Sequence, residues 1–207
     1  VADTSRTIDD PPVDPGDTRE RILDIALDLF TSQGYDKTSL RQIAERLGFS
    51  KAAIYYHFAS KGDILMALHL RMHEFIRDTL ATVEERRETP AAWAQMLDHL
   101  IDVVLRHRSL FIFHERNQAA IEELHRSHHE IDHEDLQARL RALVADGAIP
   151  LETRVRMTCA FGAVMGGLMF AGDVFAGVPD DQLSGMLRGA VSDLLGSGAG
   201  PTSSATG

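Results

Sequence analysis

Apolar residues recur along this chain at three- and four-residue spacing, which predicts helices. Ile22, Ile25, Ala26, Leu29 and Phe30 make the first stripe, on a helix from about Thr18 to Gln33 that Asp17 caps with Glu20 three residues on. Gly34 and Tyr35 end it. Leu40, Ile43, Ala44 and Leu47 form a second stripe, opened by a capping box of Ser39 and Gln42 and closed by Gly48, a residue that reaches positive φ cheaply. Phe49 plugs the corner, Ser50 caps a third helix from Lys51, and Ile54 and Phe58 face inward. Three residues therefore separate the second and third helices. The expected core is Ile22, Ala26, Leu29, Phe30, Leu40, Ile43, Leu47, Ile54 and Phe58.

Downstream, a Ser60 and Asp63 capping pair opens a periodicity that runs from Lys61 to about Arg87, a rod of about 40 Å that can act as a lever. Thr89 and Pro90 restart the helix, and Trp93, Met96, Leu97, Leu100, Ile101, Val104 and Leu105 give it a broad apolar face. Two amphipathic helices are expected at about Leu110 to Leu124 and Ile131 to Asp146, and two more at about Leu151 to Phe175 and Asp180 to Leu195. Residues 1–16, with three prolines and four aspartates, and the small, polar segment 196–207 are expected to be disordered.

Two short helices joined by a tight turn, with phosphate-seeking residues at one end, form the layout of a DNA-reading helix-turn-helix. From Thr18 to about Leu68 the chain resembles the DNA-binding domain of the TetR family of bacterial transcriptional repressors. TRERILDIALDLFTSQGYDKTSL resembles the family's first helix and its Gly-aromatic exit, RQIAERLGFSKAAIYYHF its reading unit, and SKGDILMAL the start of its fourth helix. The rest resembles the family only in layout. The resemblance implies an all-α protein of about nine helices. A three-helix DNA-binding domain over 17–68 precedes a helical ligand-binding and dimerisation domain over 69–195.

Candidate DNA contacts follow from side-chain chemistry. Arg41 can take guanine O6 and N7 with its planar fork, and Lys51 opens the recognition helix, where the N-terminal amides favour an anion. Arg41 can alternatively pair with Glu45 on its own helix. By resemblance, Tyr55 and His57 grip backbone phosphates. Lys61, at a helix start, is expected to meet a phosphate, and Thr38 to add a hydroxyl contact. Ala52 and Ala53 stand where many family members carry Gly or Pro and then Thr, leaving a thymine methyl contact. The caps Ser39 and Ser50, with Tyr56, complete the set. For an effector, the candidate pocket residues are Trp93, Met96, Leu100, Phe111, Phe113, His114 and Asn117. Family layout puts a dimer on the last two helices, where Ala160, Ala163, Gly166, Gly167, Met169, Val191 and Leu194 supply small and apolar positions.

The chain of 207 residues carries 21 basic and 31 acidic residues, a formal charge of −10 that would repel DNA if spread evenly. It is uneven: residues 17–70 are neutral and hold all three lysines, Lys37, Lys51 and Lys61. Cys159, the single cysteine, sits in an apolar helical run and is expected in the core, consistent with a reducing cytoplasm. Neither a leader nor a membrane span is indicated. No phosphate loop, nucleophile elbow or dinucleotide motif appears, so no enzyme and no cofactor is expected. The expected function is a ligand-responsive regulator, a repressor, that binds a near-palindromic operator in double-stranded DNA as a homodimer and is released by a small molecule. The rival reading is a metal-binding regulator or metalloenzyme built on His125, His129 and His133, spaced i, i+4, with Asp132 or His114 and the neighbouring His128.

Overall fold

The computed structural model describes residues 15–84, 90–127, 144–170, 174–175 and 177–196, together with 138, 141 and 142. Among the described residues there are nine α-helices and no strand. They are α1 (Pro15–Gln33), α2 (Leu40–Leu47), α3 (Lys51–His57), α4 (Lys61–Glu84), α5 (Pro90–Arg106), α6 (Arg108–Arg116), α7 (Gln118–Ser127), α8 (Leu151–Met165) and α9 (Asp180–Leu195). The chain divides into two compact units, 1–67 and 68–207, with the boundary inside α4.

The first unit is α1 to α3 and the start of α4. Helix α1 begins at Pro15, so Pro15 and Gly16 belong to the helix and not to a disordered arm. A proline is preorganised for a first turn, and Asp17 then lies in that turn facing the helix dipole, not at a cap. The rest of the expected N-terminal arm and the tail beyond Gly196 lie outside the described residues. Ile22, Ala26, Phe30, Leu40, Ile43, Ile54 and Phe58 are buried as expected, and Leu23 joins them at 1% exposure. Ile25, Leu29 and Leu47 are half-buried at the edge of this core.

In the second unit α9 packs on α8 and α5, and α6 packs on α5. Arg188 of α9 joins these helices, donating to Asp98, to Asp102 Oδ1 at 2.7 Å and to Ser184 of its own helix. Arg108, at the start of α6, donates to Asp180 Oδ1 at 2.9 Å and to the carbonyls of Phe175 and Val178.

Two expected helices are interrupted. Asn117 divides the segment expected as Leu110 to Leu124, because its Nδ2 donates to the Phe113 carbonyl at 2.7 Å and offers the backbone an alternative to the helical ladder. The helix expected to reach Phe175 stops at Met165 and widens into a π-turn over Gly166–Phe170. A Cβ at Gly167 would meet Leu187 Cδ2 at 3.1 Å, so the missing side chain there serves close approach of α9 within the chain. The helix expected from Ile131 to Asp146 lies largely outside the described residues.

Candidate functional site

The reading unit is built by its caps. Ser39 accepts from the Gln42 N–H at 3.3 Å, while its own N–H donates to Gln42 Oε1 at 2.8 Å. At the other end of α2, Gly48 sits at φ 70°. Its N–H donates to the Glu45 carbonyl at 3.2 Å and that of Phe49 to the Ala44 carbonyl at 2.9 Å. This pair of bonds is a Schellman closure, which turns the chain sharply. Ser50 then caps α3, accepting from the Ala53 N–H at 3.2 Å. Both serines are exposed but already serve these caps.

On α3, Lys51, Ala52, Tyr55 and Tyr56 are exposed, whereas Ala53 and His57 are half-buried and Ile54 is buried. Tyr56 is 82% exposed, a large aromatic surface left to solvent, and it meets His57 edge-on with ring centroids 5.1 Å apart. The Lys51 ammonium lies 5.3 Å from the centre of the Tyr55 ring. On α2, Arg41 points outward with its Nε 2.7 Å from Glu45 Oε1, and that hydrogen bond raises the guanidinium pKa further.

One candidate, Thr38, is corrected, and another, Lys61, is already engaged within the first unit. Thr38 is 3% exposed, and its hydroxyl donates to the Gly34 carbonyl at 2.9 Å and accepts from Gln33 Nε2 at 3.1 Å. It fastens the turn between α1 and α2 and has no free hydroxyl face for a phosphate. Lys61 donates to the Tyr35 carbonyl at 2.7 Å, and its ammonium lies 4.2 Å from the centre of the Tyr35 ring. The positive φ of Gly34 turns the chain after α1, and Lys61 adds a second hydrogen bond to the Tyr35 carbonyl, which also accepts from the Thr38 N–H at 3.2 Å. Burial, then the Asp36 and Asp63 carboxylates, push the Tyr35 phenol up. Arg19 and Arg21 are likewise engaged, over the rings of Phe58 and Phe49. Lys37 is exposed one residue before the buried Thr38. The sequence reading counted it only in the charge balance; its place beside the α2 capping box is the signal that was available for naming it a contact.

In the second unit the expected pocket residues are packed core: Trp93, Met96, Leu100, Phe111 and Phe113 are each no more than 3% exposed. His114 and Asn117 are half-buried. A cavity of about 490 Å³ lies instead between α5 and α9, lined by Ala91, Ala94, Gln95 and Asp98 on one side and Arg188 and Val191 on the other.

The α8 and α9 surface also differs from expectation. Ala160 is fully buried and Val191 nearly so, on helices that pack on α5 and on each other, while Ala163, Gly166, Gly167 and Leu194 are half-buried. The side chain of Met169 lies outside the described residues. The outward face is carried by Leu151, Val155, Cys159 and Gly162 on α8 and by Gly185, Met186, Gly189 and Ala190 on α9. Cys159 is therefore exposed, not a core residue. Leu151 and Val155, four apart on α8, and Met186 on α9 are 68%, 53% and 60% exposed, apolar side chains left on the outward faces of the two helices.

His128, His129, Asp132 and His133 of the expected metal cluster lie outside the described residues. His125 is half-buried, and burial pushes its imidazole down from the ordinary histidine range. Its ring stands 4.8 Å from that of His69, a neighbour the sequence reading did not name. The available signal was His69 and His73, spaced i, i+4 on α4.

Among the described residues no helix is long and apolar enough to cross a membrane. Residues 22–68 match the family model described as bacterial regulatory proteins, tetR family. The chain is 37% identical over 83 residues to the HTH-type transcriptional regulator SrpR of Pseudomonas putida, covering 40% of this chain and 39% of SrpR. It is 46% identical over 46 residues to IcaR of Staphylococcus aureus, named as a negative transcriptional regulator of the biofilm operon icaADBC, covering 22% of this chain and 25% of IcaR. The matched stretches thus span well under half of these relatives. Similarity of fold reaches further. A transcriptional regulator of Aquifex aeolicus, 22% identical, superposes with a TM-score of 0.62 over 84% of this chain and 97% of its own. A capped α2–α3 unit and the matching family model agree that residues 22–68 form a helix-turn-helix domain of the tetR-family kind, and the all-helical fold of the described residues is like that of a solved transcriptional regulator.

Proposed function

We propose that the chain is a ligand-responsive transcriptional repressor that binds a near-palindromic operator as a homodimer and is released by a small molecule. The observation that carries this reading is the α3 surface. A seven-residue helix, held by caps at both neighbouring ends, leaves Lys51, Tyr55 and Tyr56 in solvent while Ile54 locks it to the core. Exposed aromatic and cationic side chains on a rigid short helix suit a major groove, where phosphate contacts set position and Arg41 supplies base selectivity. The names of the matched relatives support regulation over catalysis.

Two half-sites require two copies, and the outward faces carrying Leu151, Val155 and Met186, together with Gly162, Gly185 and Gly189, suit close packing of α8 and α9 against their symmetry mates. The effector is assigned to the second unit, with the α5–α9 cavity as its candidate site. Release demands that the effector bind the low-affinity geometry better, and a ten-fold loss of operator affinity needs about 1.4 kcal/mol of difference.

Selection of duplexes from a random pool tests this. A near-palindromic site should emerge. Arg41→Ala and Tyr55→Phe should each weaken binding to it about ten-fold while the sedimentation coefficient of the dimer stays unchanged. Selection of no common sequence, or full affinity in both variants, would overturn the assignment.

A further inference from the structure

We propose that His69, His73 and His114 form a binding site for a divalent transition-metal ion of the Zn²⁺ class, with His125 beside it as an additional imidazole. One ligating atom from each of the first three lies within 4.8 Å of the others. Bonds of 2.0–2.1 Å to a tetrahedral ion would place the nitrogens about 3.3 Å apart, so closing the site takes about 1.5 Å at most, shared among three rotatable side chains.

The arrangement arises from three helices. His69 and His73 share a face of α4, His114 comes from α6 and His125 from α7. The His69 ring lies at the centre: stacked on His114 at 4.9 Å and 13°, edge-on to His73 at 4.4 Å and edge-on to His125 at 4.8 Å. At 4% exposure it is the most enclosed of the group.

The donor set names the class of ion. Imidazole nitrogen without carboxylate oxygen suits Zn²⁺, Co²⁺, Ni²⁺ or Cu²⁺ and is a poor match for Mg²⁺ or Ca²⁺, which take oxygen ligands. Three protein ligands leave a position that His125 or a water molecule can fill. The site differs from the His125, His129 and His133 cluster expected from spacing: its centre is His69 and His73 of α4, and it shares with that cluster only His125 and the His114 that was offered to complete it.

The test uses the full chain, stripped with chelator and titrated with Co²⁺ followed by Zn²⁺. The expected result is one Co²⁺ per chain with the strong visible bands of a four-coordinate nitrogen site, displaced by Zn²⁺ and unaffected by excess Mg²⁺. His73→Ala and His114→Ala should abolish the bands, whereas His99→Ala and His129→Ala should keep them. Absent bands in the parent, or bands that survive both of the first two substitutions, overturn the site. If a variant loses its helical circular dichroism, the imidazole ¹⁵N resonances of the unaltered chain decide the matter. Zn²⁺ must then shift those of His69, His73 and His114, and shifts confined to other histidines refute the proposal. No DNA enters this test, so its failure leaves the operator reading intact.

Discussion

Replacing Gly48 with alanine isolates the backbone term at the corner that aims α3. Gly48 has φ 70°, in the left-handed region that costs a residue with a Cβ about 1–2 kcal/mol. A Cβ built there meets nothing within 4 Å, so no steric clash adds to that cost. The two closing hydrogen bonds, from the Gly48 and Phe49 N–H groups, are kept as long as the turn is kept. Gly48→Ala should therefore lower the stability of the first unit by about 1–2 kcal/mol, and Gly48→Asn by roughly half as much, since asparagine tolerates this region. The sign is the informative part. At a right-handed helical position the same Gly→Ala change stabilises by about 0.4–1 kcal/mol through the unfolded chain. Urea unfolding followed by residue-resolved amide exchange measures both variants against the parent. Operator affinity well below the unfolding transition should change by less than about ten-fold, because the strain is present with and without DNA. A neutral or stabilising alanine variant would refute the left-handed closure and with it the account of how α3 is aimed.

Three further consequences follow from named residues. Lys61→Met removes hydrogen bonds to the Tyr35 and Asp36 carbonyls and the contact with the Tyr35 ring, and should cost the first unit about 1–2 kcal/mol in urea unfolding. If Lys61 meets a phosphate instead, the main effect will be a shallower salt dependence of operator binding. Val155→Glu and Met186→Glu put charge on the outward faces of α8 and α9 and should convert the proposed dimer to monomer in sedimentation while leaving helix content unchanged; intact dimers would exclude this face. Arg188→Met leaves Asp98 and Asp102 facing each other one turn apart and should cost about 1 kcal/mol in thermal unfolding, with no loss taken as evidence that these half-exposed pairs are solvent-screened.

The first unit was legible because its signals are local. A capping box, a glycine at a left-handed closure and a second serine cap act over three or four residues, so Ser39, Gly48 and Ser50 mark the ends of α2 and the start of α3 wherever the rest of the chain lies. Stripes at helical spacing likewise marked most of the core, and missed Leu23 only because the buried face of α1 is wider than the stripe. The pocket and the outward faces were not legible, because apolar side chains mark what is buried without telling which surface buries it. Trp93 and Phe111 suited a pocket wall as well as a filled core, and Ala160 suited a partner's helix as well as the interior of its own chain. Breaks were hidden too, since Asn117 ends a helix through a side-chain bond that competes with the ladder.

What the order of residues determined by itself is therefore the helical framework, the caps and the reading unit with its exposed Arg41, Lys51, Tyr55 and Tyr56. What the packing of distant segments decided is which groups meet: Lys61 with the carbonyl of Tyr35, Gly167 with Leu187, and His69 with His73, His114 and His125. Periodicity reports the face a residue occupies on its own helix, whereas a contact between helices depends on their crossing and rotation, which no local spacing encodes.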